Sequence, residues 1–354
     1  MYISKTLVYG LSLTFAFNRN TLSAPTKNEK VRSMNKLILK FLVLITLPIL
    51  GWAQNFPTKT VRVVVPFSAG SGPDMVMRIV GDKLAKEWGH QVMLDNKPGA
   101  NGWLAETDIK RASPDGYAFA ILDTTHIALQ PLLYKQMPFD PIADFDPLST
   151  LYTTKFFVVV GMNSPYKTLN DLINAAKEKN SRLTYGSWGI GSVGHLGAAM
   201  LEGATRTQMT HVPFKEMPML YTAVSTGEVD WAFGTAATVS SLYQSKKVRF
   251  LAYAGAERMQ GYQDVPTVSE ASNIPGFELR TWVAVFGPKG TPKLTTEKIN
   301  QSIMKALSDT EVREKLLVFG LEPWIGTASD VIKATEQDIK RYSATIKSLN
   351  ISLE

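Results

Sequence analysis

Two stretches of small residues in this chain have the composition to hold an anion. The first is Ser68-Ala69-Gly70-Ser71-Gly72, followed by Pro73 and Asp74. The second is Gly186-Ser187-Trp188-Gly189-Ile190-Gly191-Ser192-Val193-Gly194, followed by His195. Each joins an apolar run to a helical pattern. A Gly/Ser loop that opens a helix leaves backbone N–H groups without intrahelical partners, and the helix dipole adds positive potential there. An ordinary strand-loop-helix turn with Asp74 as a capping residue has the same look. The return of the pattern more than 100 residues later favours a binding site. A third candidate is Asp123-Thr124-Thr125-His126, directly after the apolar run 117–122. There Asp123 either orients a ligand hydroxyl or amine or caps a helix.

Reaction chemistry does not assemble around these residues. Gly189-x-Gly191-x-x-Gly194 matches the dinucleotide fingerprint, but no acidic residue closes a strand about twenty residues on. The next apolar run, 209–214, is followed by Lys215 before Glu216. Ser71, Ser187 and Ser192 lack the paired glycines at −2 and +2 of a nucleophile elbow. The chain has no Walker pattern and no cysteine, which removes disulfides, thiolate catalysis and Cys-based zinc sites. Its four histidines, His90, His126, His195 and His211, stand at no metal-ligand spacing. His195 opens a helix, where it either binds a carboxylate or is structural, and His211 reads as a core or hinge residue. No nucleophile, base and orienting group come together. The expectation is a non-enzyme with neither cofactor nor metal.

The elements that must position the loops follow from hydrophobic spacing. Val61, Val63, Val64 and Val65 predict a buried strand ended by Pro66. Pro73 suits a first helical residue, Val76, Ile79, Val80 and Leu84 recur at helical spacing, and Gly89 is placed to cap the end. Further strands are predicted at 91–95, 117–122, 156–161, 183–185, 209–214, 231–233, 248–254 and 281–286. Helices are predicted at 103–111, 168–179, 195–202, 221–225, 296–307, 310–319 and 329–348. The Pro/Asp-rich stretch 138–147 reads as a connector. Strands alternating with helices predict an α/β protein with mostly parallel sheets, whose ligands sit at the carboxyl ends of the strands. The apolar strands 156–161 and 281–286 bracket a middle segment. This predicts a discontinuous first domain (54–156 plus 282–354), a second domain (157–281), and two crossing strands as the hinge.

Composition sets further bounds. The formal charge of +7 is misleading, because seven of the 38 basic residues but only one of the 31 acidic residues fall in 1–53. The remainder carries +1, which gives no electrostatic case for nucleic acid binding. Met34-Asn35-Lys36, the apolar run 37–50 and Gly51-Trp52-Ala53 read as a secretory signal (34–53) cleaved after Ala53. That places the mature protein in the periplasm. Residues 1–33 read as a misassigned or disordered extension, with Met34 as the true start.

The ordered motifs then carry a resemblance. Val64-Val65-Pro66-Phe67-Ser68-Ala69-Gly70 with Asp74 and Arg78, Asn96-Lys97-Pro98-Gly99-Ala100, and Ser113-Pro114-Asp115-Gly116-Tyr117 come first. Tyr185-Gly186-Ser187, Gly189-x-Gly191-Ser192, His211-Val212-Pro213-Phe214-Lys215, Asp264-Val265-Pro266-Thr267 and Gly287-Pro288-Lys289-Gly290-Thr291-Pro292 follow. In order and spacing the chain resembles the tripartite tricarboxylate transporter substrate-binding proteins, the Bug receptors. The resemblance implies a two-domain periplasmic binding protein (type II-like) that closes by hinge motion on a small organic carboxylate in the interdomain cleft. It implies delivery to separate membrane transporter subunits; a ligand sensor signalling to a membrane kinase is the alternative. A monomer is expected. Carried onto this sequence, the resemblance places Ser68, Ala69, Gly70 and Asp74 on one lobe, and Ser187, Gly189, Gly191 and Ser192 on the other. Ser71, Asp123, Thr124, Trp188 and His195 complete the expected ligand-binding set. Ser71 stands where the family has a second glycine, and Pro73 lacks an N–H. Trp188 is bulkier than usual, so it either covers an apolar ligand body or packs on the neighbouring helix.

Overall fold

The computed structural model describes residues 56–178, 182–348 and 350–353. The expected extension (1–33) and signal (34–53) lie outside the described residues. The described strands are β1 (Val61–Val65), β2 (Val92–Asn96), β3 (Ala118–Asp123), β4 (Phe145–Lys155), β5 (Phe157–Gly161), β6 (Thr184–Ser187), β7 (Thr210–Pro213), β8 (Trp231–Gly234), β9 (Val248–Tyr253), β10 (Arg280–Pro288) and β11 (Glu322–Pro323). They form two sheets, ordered β11-β4-β10-β3-β1-β2 and β7-β6-β8-β5-β9.

Alternation explains why the central strands are apolar throughout. Val61, Val63 and Val65 point to one side of β1, into a core with Val76, Met77, Val80 and Leu84 of the helix Gly72–Trp88. Val64 points to the other side, among Ala105, Ile109, Leu122 and Trp282. In the second sheet, Val158 and Val160 of β5 pack on Leu169, Leu172 and Ile173, while Phe157 and Val159 pack on Leu220, Tyr221 and Val224. A strand covered on both faces needs apolar residues at every position. Each fully buried Val contributes roughly 1.5–3 kcal/mol.

The sheets are mixed, which corrects the expectation of mostly parallel ones. β1 pairs in parallel with β2 and β3, and β6 with β7 and β8. The pairings of β10 with β3 and β4, of β11 with β4, and of β5 with β8 and β9 are antiparallel. Part of the cause is the long strand β4, which has no counterpart among the predicted strands and whose first residues, 145–147, fall in the stretch 138–147 that reads as a connector. Pro147 enters the strand opposite Phe286, where the β4–β10 register shifts. A proline is tolerated at such an irregularity, because the ladder there does not need its missing N–H.

One residue, Phe156, separates β4 of the first sheet from β5 of the second. The chain returns through 254–279 to β10. The last helix, Ala328–Ser348, buries Val331 and Ala334 in a core of the first sheet and Tyr342 and Ile346 in a core of the second. Its middle is tied to β10 by Trp282 Nε1, which donates to Asp338 Oδ2 at 2.7 Å. Among the described residues no helix is long and apolar enough to cross a membrane.

Candidate ligand-binding cleft

The first loop is braced from below. Gly70, with φ of 81°, turns its N–H onto Asp74 Oδ2 at 2.8 Å. Arg78 donates from Nε to Oδ2 at 2.9 Å and from Nη2 to Oδ1 at 3.0 Å. Asn96 Nδ2 reaches Asp74 Oδ1 at 2.9 Å and the Phe67 carbonyl at 3.0 Å. Burial opposes the charged form of Asp74, but Arg78, the Gly70 N–H and Asn96 together hold its carboxyl below the usual range. Sequence spacing brings this about, since Asp74 and Arg78 lie one helical turn apart. Asp74 is thus fully occupied in shaping the loop.

The second loop is internally bonded as well. Ser187 Oγ donates to the Gly189 carbonyl at 2.9 Å, accepts the Gly189 N–H at 3.2 Å and contacts His211 Nε2 at 2.7 Å. Ser192 Oγ donates to the Gly189 carbonyl at 2.8 Å and caps the helix Val193–Thr205 by accepting from the His195 N–H. Gly191 N–H donates to His195 Nδ1 at 3.0 Å. The rings of His195 and His211 stack at 4.0 Å. Burial lowers the basicity of His195, and burial together with His195 takes His211 down to about 4.

Between the sheets lies a cleft with about 70 Å³ of water-sized space. Of the expected residues, Ser71, Asp123 and Trp188 line it. Ser68, Ala69 and Gly70 are exposed on the first loop. Thr124 is buried and accepts the Trp282 N–H at 3.2 Å through Oγ1, so it ties β3 to β10. Trp188 stacks on Phe156 at 5.7 Å and lies so close to Gly194 that a β-carbon there would meet its ring at 2.5 Å. It therefore packs on the helix and also faces the cleft.

Residues that sequence reasoning missed complete the lining: Phe67, Tyr152, Phe156, Tyr221, Thr235 and Thr281 among them. Two cleft hydroxyls, Ser71 Oγ and Thr281 Oγ1, are buried and have no hydrogen-bond partner. Ser71 sits at the N-cap of the helix Gly72–Trp88, yet its side chain makes no capping bond. Thr235 was detectable, because it follows β8 in the same strand, small-residue turn and helix order as the two loops. Tyr152 was not, because β4 itself was hidden. No Lys, Arg or His lines the cleft among the described residues. No group of three or more His, Asp or Glu there is placed to hold a metal ion.

Two α/β domains with mixed sheets and a polar-seamed cleft between them define a two-lobed solute-binding protein. Residues 76–351 match the family described as the tripartite tricarboxylate transporter family receptor, TctC. The chain belongs to that family, one of binding proteins and not of enzymes. An Agrobacterium vitis protein of the TAR-I ttuE-ttuC' intergenic region is 30% identical over 335 residues, 94% of each chain. A protein of R. palustris solved with adipate superposes with a TM-score of 0.79 at 29% identity, over 84% of this chain and 99% of that one. MatC from Rhodopseudomonas palustris, with bound malate, gives a TM-score of 0.75 at 27% identity, over 82% and 100%.

Proposed function

We propose that this protein captures a small organic carboxylate in the cleft and hands it to separate membrane transporter subunits after export to the periplasm and cleavage behind Ala53. The observation that carries the reading is the pair of unpartnered buried cleft hydroxyls, Ser71 Oγ at the start of a 17-residue helix and Thr281 Oγ1 on β10. A buried hydroxyl without a partner loses about 1–3 kcal/mol, which a bound acceptor restores. The helix start adds positive potential for an anion without a lysine. The relatives solved with adipate and malate support the same class. Binding energy from both lobes would bias an open–closed equilibrium about the β4–β5 crossing near Phe156 and the return into β10. The domains on this reading are 54–156 with 282–354, and 157–281. The receptor works as a monomer.

A thermal-shift screen of the purified protein against di- and tricarboxylates, aromatic acids and amino acids tests this. A ligand at about 100 times its Kd adds roughly 2.7 kcal/mol of stability. At least one acid is expected to raise Tm clearly. No shift from any acid, repeated after unfolding and refolding to strip a co-purified ligand, would overturn the reading.

A further inference from the structure

One charged side chain lines the cleft among the described residues, and it is an acid. Asp123 ends β3. Its Oδ1 accepts the His126 N–H at 3.1 Å and meets His126 Nδ1 at 2.6 Å. His126 is buried outside the cleft lining, so it holds Asp123 from behind. No described residue bonds Asp123 Oδ2. Asp123 pairs with Val283 across the β3–β10 ladder, and Thr281 lies two residues from Val283 on the same face. Such diagonal neighbours are about 7–8 Å apart. The free Thr281 hydroxyl and the free Asp123 oxygen thus face one small space, walled by the rings of Phe67, Tyr152 and Phe156.

Resting on the carboxylate reading above, we propose that Asp123 sets the ligand class. The cleft takes a carboxylate whose other polar group is a hydrogen-bond donor, a hydroxyl or an amine, carried on an apolar or aromatic body. It discriminates against a second carboxylate. The physical reason is inventory. An ionised carboxylate only accepts hydrogen bonds, so Asp123 Oδ2 can be satisfied by a donor but not by another carboxylate. Two like charges in a partly desolvated site also repel; the lining itself holds no Lys, Arg or His, and His126 behind Asp123 is already engaged by Oδ1. The aromatic walls offer area to a flat or aliphatic body and nothing to a third charge.

Calorimetric titration of the purified chain with matched acids tests this. One set is adipate, the analogues with a terminal hydroxyl or amine in place of one carboxylate, and hexanoate. A second is terephthalate, para-hydroxybenzoate and benzoate. A donor-ended acid is expected to bind at least about tenfold more tightly than the dicarboxylate of its set. Asp123→Asn is expected to shrink that preference below about threefold, because its amide can donate to a carboxylate. Equal or tighter dicarboxylate binding by the wild type overturns the inference and leaves the receptor reading standing. So does a preference that survives Asp123→Asn. Binding of no acid at all overturns both. If Asp123→Asn does not fold, the wild-type ratio alone decides.

Discussion

Replacing Asp74 with alanine separates a structural brace from a ligand contact. Asp74 is 1% exposed, and its two oxygens accept from Gly70, Asn96 and twice from Arg78. Hydrogen bonds to a charged group contribute about 1.5–3 kcal/mol each. Arg78 is half exposed and regains water on release, so its share is about 1 kcal/mol or less. The Gly70 N–H lies on an exposed loop and is partly rehydrated too. A net loss of about 3 kcal/mol is expected for Asp74→Ala. In a chain of this size that lowers Tm by about 6 °C. The affinity for a cleft ligand falls as well, since the first loop loses its anchor. The pH dependence has a defined sign. A carboxyl held below its ordinary pKa stabilises the fold above that ordinary value, and the contribution is lost as pH falls through the lowered one. The wild type therefore loses this increment below about pH 4, and Asp74→Ala does not. Differential scanning fluorimetry from pH 3 to pH 7, with ligand titration of both forms, reads all of this. An unchanged Tm with collapsed affinity would refute the brace and make Asp74 a ligand contact.

The stacked His195–His211 pair gives a second acid-sensitive increment with its own window. Both rings are held neutral by burial, so the stability they contribute is complete above the ordinary histidine pKa and drains away as pH falls from about 6.5 to about 4. His211→Gln should flatten the Tm profile in that window, and an unaltered slope would show that the pair does not titrate with unfolding. Gly102→Ala tests the packing under the first sheet. Gly102 has φ of 93°, and a β-carbon there would clash with the His126 ring at Nε2. Positive φ and overpacking together should cost roughly 2–4 kcal/mol, read as a lower Tm; a change under about 1 °C would mean that His126 moves aside freely.

Much of the scaffold was legible in the sequence because local rules govern it. The valines of β1, the Pro73 start and Gly89 end of the first helix, and the apolar face Leu169, Leu172, Ile173 and Ala176 all follow from period, capping and turn chemistry. The two Gly/Ser loops were visible for the same reason, as was the helical tail. What needed the tertiary structure was everything decided by pairing. Pro147 argued against a strand by itself, and only the β4–β10 register shows where a proline fits. The loops advertised free N–H groups, but folding commits Gly70 to Asp74, Gly189 to Ser187 and Gly191 to His195. The buried hydroxyls left without a partner in the cleft are on different elements, Ser71 before a helix and Thr281 on β10, which no local pattern could join. Sequence by itself determined most of the strands and helices, β4 excepted, and which family they compose. Tertiary structure decided which polar atoms remain unsatisfied in the cleft, because satisfaction depends on neighbours far apart in the chain.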